Sequence, residues 1–301
     1  MNQTKVRTDL ALEAHENIED ATLKSRGIQV DEVYHKKTRT KISKVLVTTK
    51  NGASTIGKPM GTYITLETPN LVEEDEDYHR EISLELAGQL KDIIPGFDGE
   101  LSILVVGLGN RDVTAYALGP HVIDNLFITR HILSTYGKAA YNREKMHAVS
   151  SLVPGVMAKN GMETSEIVKG VIEQTHPDVM IVIDALAARS IKRLNRTIQV
   201  TDTGIHPGSG VGNHRNGLTR ETLGIPVIAI GIPTVVDAAT IVKDAASQLG
   251  HELHPSPLSR EQENLLYELH NMYVTSKDVD AVIKRLSYMI SEALNIAFST
   301  Q

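Results

Sequence analysis

Residues 103–110 read Ile-Leu-Val-Val-Gly-Leu-Gly-Asn, four consecutive apolar residues followed by a glycine-containing turn. Similar apolar runs occur at residues 179–184, ending in Asp184, and at residues 227–231. Short runs that are apolar on both faces are typical of strands buried in a parallel sheet. Helical patterns lie between and after these runs, near residues 118–135, 163–176 and 235–248. The alternation predicts an α/β fold, with a three-layer α/β/α core around a mostly parallel sheet.

The sequence on either side of this core has other patterns. Residues 28–67 alternate with a period of two around Asn51-Gly52, a turn signal, and predict a small antiparallel β subdomain with hairpin connections. The acidic run at residues 73–77 predicts a helix that ends near Ile94. Two C-terminal helices are predicted over about residues 259–298. A length of 301 residues predicts one large domain or two small ones.

Composition limits the class of function. The chain has 31 Lys and Arg against 37 Asp and Glu, so it lacks the basic excess of a general nucleic-acid-binding protein, and no direct nucleic-acid partner is expected. Cysteine is absent, which excludes disulfides, thiolate metal ligands and a cysteine nucleophile. No apolar run is long enough to span a membrane, and the N-terminus lacks the apolar segment of a signal peptide. A cytoplasmic protein without membrane contact is expected.

Asp184 is the strongest single candidate for chemistry. Functional groups of open parallel sheets gather beyond the carboxyl ends of the strands, and Asp184 follows five apolar residues. A carboxylate in apolar surroundings tends towards a raised pKa, which suits proton transfer. The alternative is that Asp184 caps a helix over residues 185–194. The spacing alone leaves both roles open.

Three other motifs are interpreted as structural. The turn at residues 107–110 lacks the third glycine of a dinucleotide fingerprint, since Asp112 stands at that offset. Ser209 lies between glycines but outside a nucleophile-elbow motif. His206 and His214 lack a recognised metal-ligand spacing, so loop or surface roles are favoured. No cofactor and no metal are predicted.

Several motifs, in the same order along residues 6–250, resemble the germination protease family of spore-forming bacteria. They are residues 6–11, 57–59, 61–67, 106–110, 117–120, 154–157, 183–189 and 202–213. The resemblance implies an endopeptidase that degrades small acid-soluble spore proteins in the spore core. It also implies a zymogen activated by self-cleavage, a homotetramer, and a phosphorylase/hydrolase-like core similar to that of hydrogenase-maturation proteases.

Catalysis in this family is assigned to two aspartates, and the second of them matches Asp184. Around the first, the family motif reads Thr-Pro-Asp-Ala-Leu-Gly-Pro, whereas residues 114–120 read Thr-Ala-Tyr-Ala-Leu-Gly-Pro. Tyr116 therefore stands where the family has a catalytic aspartate. A tyrosine, with a reference pKa near 10, is a poor general base at neutral pH but can donate a hydrogen bond. Asp112, four residues earlier, is a weaker candidate for the missing carboxylate.

The family's pro-segment is cut after an acid that precedes an aliphatic residue and Ala. Here this pattern places the cut between Asp9 and Leu10, with residues 1–9 as the pro-segment and residues 10–301 as the catalytic domain. The alternative is that Asp9 caps a helix that begins near Leu10, and both roles can hold.

The replacement at Tyr116 leaves two functions open. The chain is either an endopeptidase of this family or a member that binds the substrate without cleaving it. Peptidyl-tRNA hydrolase shares the Val-Gly-Leu-Gly-Asn strand end, but Pro-Gly follows there and Arg111-Asp112 follows here. The longer chain and the missing basic excess also disfavour that enzyme.

Overall fold

A computed structural model describes residues 8–15, 18, 20–138, 145–207, 216–248 and 260–299. The strands are β1 (Ile28–His35), β2 (Thr40–Val47), β3 (Gly61–Glu67), β4 (Ser102–Gly107), β5 (Ala148–Leu152), β6 (Val179–Ala188), β7 (Thr197–Thr201), β8 (Val227–Asp237) and β9 (Tyr273–Val274). The helices are α1 (Ala11–His15), α2 (Asp20–Ser25), α3 (Lys50–Ile56), α4 (Glu76–Ile93), α5 (Leu118–Asp124), α6 (Arg130–Tyr136), α7 (Met157–Asn160), α8 (Thr164–Thr175), α9 (Arg220–Leu223), α10 (Ala238–Gln248), α11 (Arg260–His270) and α12 (Val279–Phe298).

All of these strands belong to one mixed sheet, in the order β1-β2-β3-β7-β8-β6-β4-β5, with β9 paired to β8. Strands β8, β6, β4 and β5 are parallel to one another, and β1, β2, β3 and β7 form an antiparallel half. β7 joins the two halves by pairing antiparallel with β8. The predicted antiparallel segment therefore extends the same sheet at its edge.

Helices cover both faces of the sheet, so the predicted α/β fold is confirmed. Alternate residues of β6 show the two layers: Ile181 and Ile183 pack in the core under α4, α5 and α12, whereas Met180 and Val182 pack in the core under α8 and α9. A third cluster lies under α1, α2 and α3 at the antiparallel end. Burial of both faces explains the continuous apolar runs in the sequence.

The hairpin predicted at Asn51-Gly52 is wrong, because both residues lie in α3. The Thr49 side chain accepts a hydrogen bond from the Gly52 N–H at 3.0 Å and caps this helix. Gly57 ends the helix with a φ of 67°. A threonine cap and a left-handed glycine are regular helix boundaries, and here they outweigh the turn preference of Asn-Gly.

Two other sequence predictions need correction. The helix predicted over residues 118–135 is divided into α5 and α6. The apolar run that was expected to end at Asp184 continues as strand β6 to Ala188, and its neighbour β8 continues to Asp237. The residues after Asp184 are therefore held by strand pairing, although alanines favour helices. The predicted start of the first C-terminal helix, near Ser259, lies outside the described residues.

Candidate active site

Asp184 lies where the sheet loses one strand. β4 ends at Gly107, which pairs with Ile183, while β6 and β8 continue side by side. The chain leaves β4 at once, with the Leu108 N–H donating to the Ile183 carbonyl at 2.8 Å. Asp184, paired with Gly231 of β8, is thus the first residue beyond the end of β4. The alternative in which it caps a helix is wrong, because residues 185–188 remain extended.

The loop after β4 brings Tyr116 back to the same edge. Tyr116 ends a 3₁₀ turn that begins at Thr114, and its carbonyl accepts from the Asn110 N–H at 2.9 Å. A Cβ atom on Gly109 would lie only 1.9 Å from the Tyr116 carbonyl oxygen. A Cβ atom on Gly119 would lie 2.7 Å from the Ile183 carbonyl oxygen. These glycines therefore permit the close backbone packing that positions Tyr116.

Tyr116 and Asp184 line one cavity of about 820 Å³. Burial raises the pKa of Tyr116, and the neighbouring Tyr273 and Asp184 raise that pKa further. A phenol with a raised pKa keeps its proton at neutral pH, so Tyr116 can donate a hydrogen bond there but cannot act as a base. Asp184 and Tyr116 together can supply one carboxylate and one neutral donor to a bound group.

Asp112 does not line this cavity. Its carboxylate forms an ion pair with the Lys159 ammonium, and its side chain is 64% exposed. The backbone N–H of Asp112 donates to the Asn110 side-chain oxygen at 3.1 Å, which fixes the local turn. The structure therefore separates Asp112 from the pair formed by Asp184 and Tyr116.

The predicted cut lies at the same cavity. Asp9 pairs with the end of β6: its N–H donates to the Ala187 carbonyl at 3.0 Å, and its carboxylate accepts from the Ala187 N–H at 2.9 Å. Leu10 is fully buried in a cluster with Leu186, Ala188 and Val236. The Asp9–Leu10 bond is therefore held against the strand that carries Asp184.

A buried carboxylate fixes the chain beyond the cut. Glu13, 5% exposed, accepts from the backbone N–H groups of Arg189 at 2.8 Å and of Ser190 at 3.0 Å. The Arg193 guanidinium lies 3.4 Å from the same carboxylate. Charged donors favour an acid at such a site, so Glu13 holds the residues after the predicted cut at a defined position.

Sequence reasoning missed two side chains that contact the predicted cut, Lys58 and Gln199. Lys58 donates to the carbonyl oxygens of Thr8 and Asp9, and Gln199 contacts both Asp9 and Ala11. Lys58 lies in the Gly-Lys-Pro motif at residues 57–59, but no spacing rule links this motif to the N-terminus. Only the folded chain brings them together.

The described residues contain no group of three or more His, Asp or Glu side chains that could hold a metal ion. His206 lines the cavity, whereas Ser209 and His214 lie outside the described part of the chain. No helix among the described residues is long and apolar enough to cross a membrane.

Comparison with known proteins identifies the family. A sequence profile described as germination protease matches residues 6–254. This chain belongs to the germination protease family. Membership implies peptidase activity, and the family's name associates that activity with spore germination.

Curated relatives match over almost their whole length. The germination protease of Caldanaerobacter subterraneus subsp. tengcongensis is 40% identical, over 97% of this chain and 94% of the relative. That of Bacillus cereus strain G9842 is 37% identical, over 100% of this chain and 95% of the relative. Among solved structures, the [NiFe] hydrogenase maturation protease HycI from Thermococcus kodakarensis KOD1 matches with a TM-score of 0.34 and 17% identity, over 68% of this chain and 98% of that one.

Proposed function

We propose that this member of the germination protease family is an endopeptidase that degrades small acid-soluble spore proteins. It is made as a zymogen and processed between Asp9 and Leu10. The observation that carries the proposal is the position of the Asp9–Leu10 segment, which lies against β6 at the cavity lined by Asp184 and Tyr116. A substrate-like stretch of the chain thus already occupies the place where a substrate would bind.

Asp184 acts as the general base in this proposal. Hydrolysis of a peptide bond needs one group to take a proton from water and another to donate a proton or a hydrogen bond. The Asp184 carboxylate suits the first role. Tyr116 suits only the second role, because its raised pKa keeps the phenol neutral. The proposed mechanism therefore depends on one aspartate where the family uses two, and we expect a slow enzyme.

The same contacts account for latency. Thr8, Asp9 and Glu13 form part of the cavity wall, and both Leu10 and Ala11 are fully buried. A substrate cannot bind there until the segment from Thr8 to Glu13 leaves or is cut. Opening is least costly at a chain terminus, so activation begins with release of the segment.

A specific observation favours a second function. Tyr116 replaces the family's first catalytic aspartate, and the exposed Asp112 does not line the cavity to compensate for it. A member that keeps the fold and the substrate site but lacks the chemistry would bind spore proteins without cleaving them. This alternative and the leading one share every binding contact and differ only in turnover.

The proposed assembly and location rest only on the resemblance to the family. We propose a homotetramer that acts in the spore core. Sedimentation of the purified protein tests the assembly, since a tetramer has four times the 32.9 kDa mass of the chain.

Incubation of the purified protein with a small acid-soluble spore protein separates the two functions. Discrete fragments, identified by mass, support the endopeptidase. A stable complex with an intact partner supports the non-cleaving member. If the protein without its N-terminal segment yields no fragments and forms no complex, both proposed functions are contradicted.

A further inference from the structure

The carbonyl oxygen of Asp9 accepts two side-chain hydrogen bonds. The Lys58 ammonium lies 2.9 Å from it, and the Gln199 side-chain N–H₂ lies 3.2 Å from it. This oxygen belongs to the peptide bond between Asp9 and Leu10, which is the bond cut in the proposed function. Both donors line the same cavity as Asp184.

Gln199 contacts both sides of this bond. Its side-chain oxygen accepts from the Ala11 N–H at 2.7 Å, while its N–H₂ faces the Asp9 carbonyl. These two partners fix the orientation of the amide, because a flipped amide would place oxygen against oxygen and N–H against N–H. Gln199 is 6% exposed and lies in the interior of β7, so its position is rigid.

Lys58 is held in place by the turn that follows α3. Its ammonium also donates to the Thr8 carbonyl at 3.2 Å, so it bridges two successive carbonyl groups. Burial lowers the pKa of Lys58, while the Asp9 and Glu13 carboxylates oppose this and favour its charged form. The Lys58 Nζ donor is thus placed next to the carbonyl oxygen that becomes negative during hydrolysis.

We propose that Lys58 and Gln199 polarise the carbonyl group of the bond being cut and stabilise the negative charge that develops on its oxygen. Water adds to the carbonyl carbon, the electron pair of the carbonyl moves to the oxygen, and one water proton goes to Asp184. Collapse of this intermediate breaks the bond to nitrogen, which takes the proton, and leaves a carboxyl group and a free amine. The inference rests on the proposed function, because it assumes the cut after Asp9.

A purely structural role of Lys58 and Gln199 would have a different effect on the kinetic constants. If the two side chains only held the N-terminal segment, their loss would weaken the binding of a substrate but would not slow a substrate already bound. Loss of one donor to a developing oxyanion typically lowers kcat by about 10²–10³. The split between kcat and KM therefore distinguishes the two roles.

The enzyme in this test is the Tyr116→Asp variant, which has the family's aspartate restored, after it has lost residues 1–9. The substrate is a synthetic peptide with the sequence of residues 4–15. We expect Lys58→Met to lower kcat by about 10²–10³ with a small change in KM, and Lys58→Arg to restore part of the loss. Gln199→Glu keeps the acceptor for Ala11 and removes the donor, so it should lower kcat as well. Lys50→Met, at an exposed lysine of α3, is the matched control and should leave both constants unchanged.

Each outcome decides a different claim. An unchanged kcat with a raised KM in both Lys58→Met and Gln199→Glu overturns this inference and leaves the proposed function standing. If Tyr116→Asp without a second substitution cuts the peptide elsewhere than after Asp9, or does not cut it, both the inference and the proposed function are overturned. Melting temperatures show which variants fold. If Lys58→Met does not fold, the kcat and KM of Gln199→Glu decide between the two roles.

Discussion

Asp9 and Ala187 exchange two hydrogen bonds, with the Asp9 N–H on the Ala187 carbonyl at 3.0 Å and the Ala187 N–H on the Asp9 carboxylate at 2.9 Å. Ala187 lies three residues after Asp184 in the same strand. The pairing therefore links the predicted cleavage position to the strand of the proposed catalytic carboxylate. In the proposed function, this hydrogen bond lets the backbone of β6 recognise the acid before the cut.

The first prediction concerns Asp184. Asp184→Asn should abolish any peptidase activity while leaving the fold intact, because the amide is nearly isosteric but cannot take a proton from water. Loss of such a group typically costs about 10²–10⁴ in rate. Cleavage of a spore protein measures the effect, and thermal melting checks the fold. Activity at the original rate would show that Asp184 is not the base.

A second prediction concerns self-processing. On mild acidification the unmodified chain should remain uncut over the time in which Tyr116→Asp is fully processed, because Tyr116 lacks the carboxylate of the family motif and leaves only slow chemistry. Tyr116→Asp should lose residues 1–9 under the same conditions and begin at Leu10. Intact-mass measurement of both proteins reads out the cut directly. Equal processing of the two proteins, or a cut at another bond, is incompatible with the proposed zymogen.

A third prediction concerns Gly119 of α5, which packs against the candidate site. Gly119→Ala should destabilise the protein by about 1–3 kcal/mol, because its Cβ would lie 2.4 Å from the Leu108 carbonyl oxygen and 2.7 Å from that of Ile183. Gly170→Ala, in the exposed face of α8 with no atom within 4 Å of the added Cβ, is the control and should stabilise by about 0.5–1 kcal/mol. Urea unfolding compares them. If Gly119→Ala and Gly170→Ala are equally stable, the close packing at Gly119 does not require a glycine.

The fourth prediction is a pH dependence of stability from His147, which is 1% exposed. Burial lowers its pKa, against the opposing charge of Glu100. The folded protein then binds fewer protons than the unfolded chain, so the free energy of unfolding should fall as pH drops below about 6.5, the value for an unfolded histidine. The loss should stop once the pH is below the pKa of the folded state.

Urea unfolding at several pH values from about 8 to about 5 tests this. His147→Asn keeps an acceptor for the Leu101 N–H and should reduce the slope of stability against pH. His131→Asn, at an exposed position of α6, should keep the original slope. If His147→Asn and the unmodified protein have the same slope, His147 is not the group responsible.

The sequence predicts the central strands and the long helices well because their signals are local. Strands β4, β6 and β8 are buried on both faces, which gives continuous apolar runs in the sequence. Helix α12 is buried on one face, which gives an amphipathic pattern. The length of β6 is different. The Ala-Leu-Ala-Ala sequence at residues 185–188 favours a helix, and pairing with β8 keeps it extended.

The candidate site is predictable in part. The motifs lead to Asp184, Tyr116 and Asp9, and the structure places all three residues at one cavity. Local sequence patterns do not predict the contacts of Lys58 and Gln199 with Asp9, because the two residues lie 49 and 190 residues from Asp9 along the chain. Such contacts are fixed by sheet topology, which no single motif encodes.

The rate at which a purified small acid-soluble spore protein is cleaved tests the central claim most directly. The unmodified chain, Tyr116→Asp, and Tyr116→Asp combined with Asp184→Asn are compared side by side. The proposed site predicts that Tyr116→Asp is faster than the unmodified chain by about 10²–10⁴ and that the double variant is inactive. Equal rates in the unmodified chain and Tyr116→Asp, or full activity in the double variant, would contradict catalysis by Asp184 and the residue at position 116.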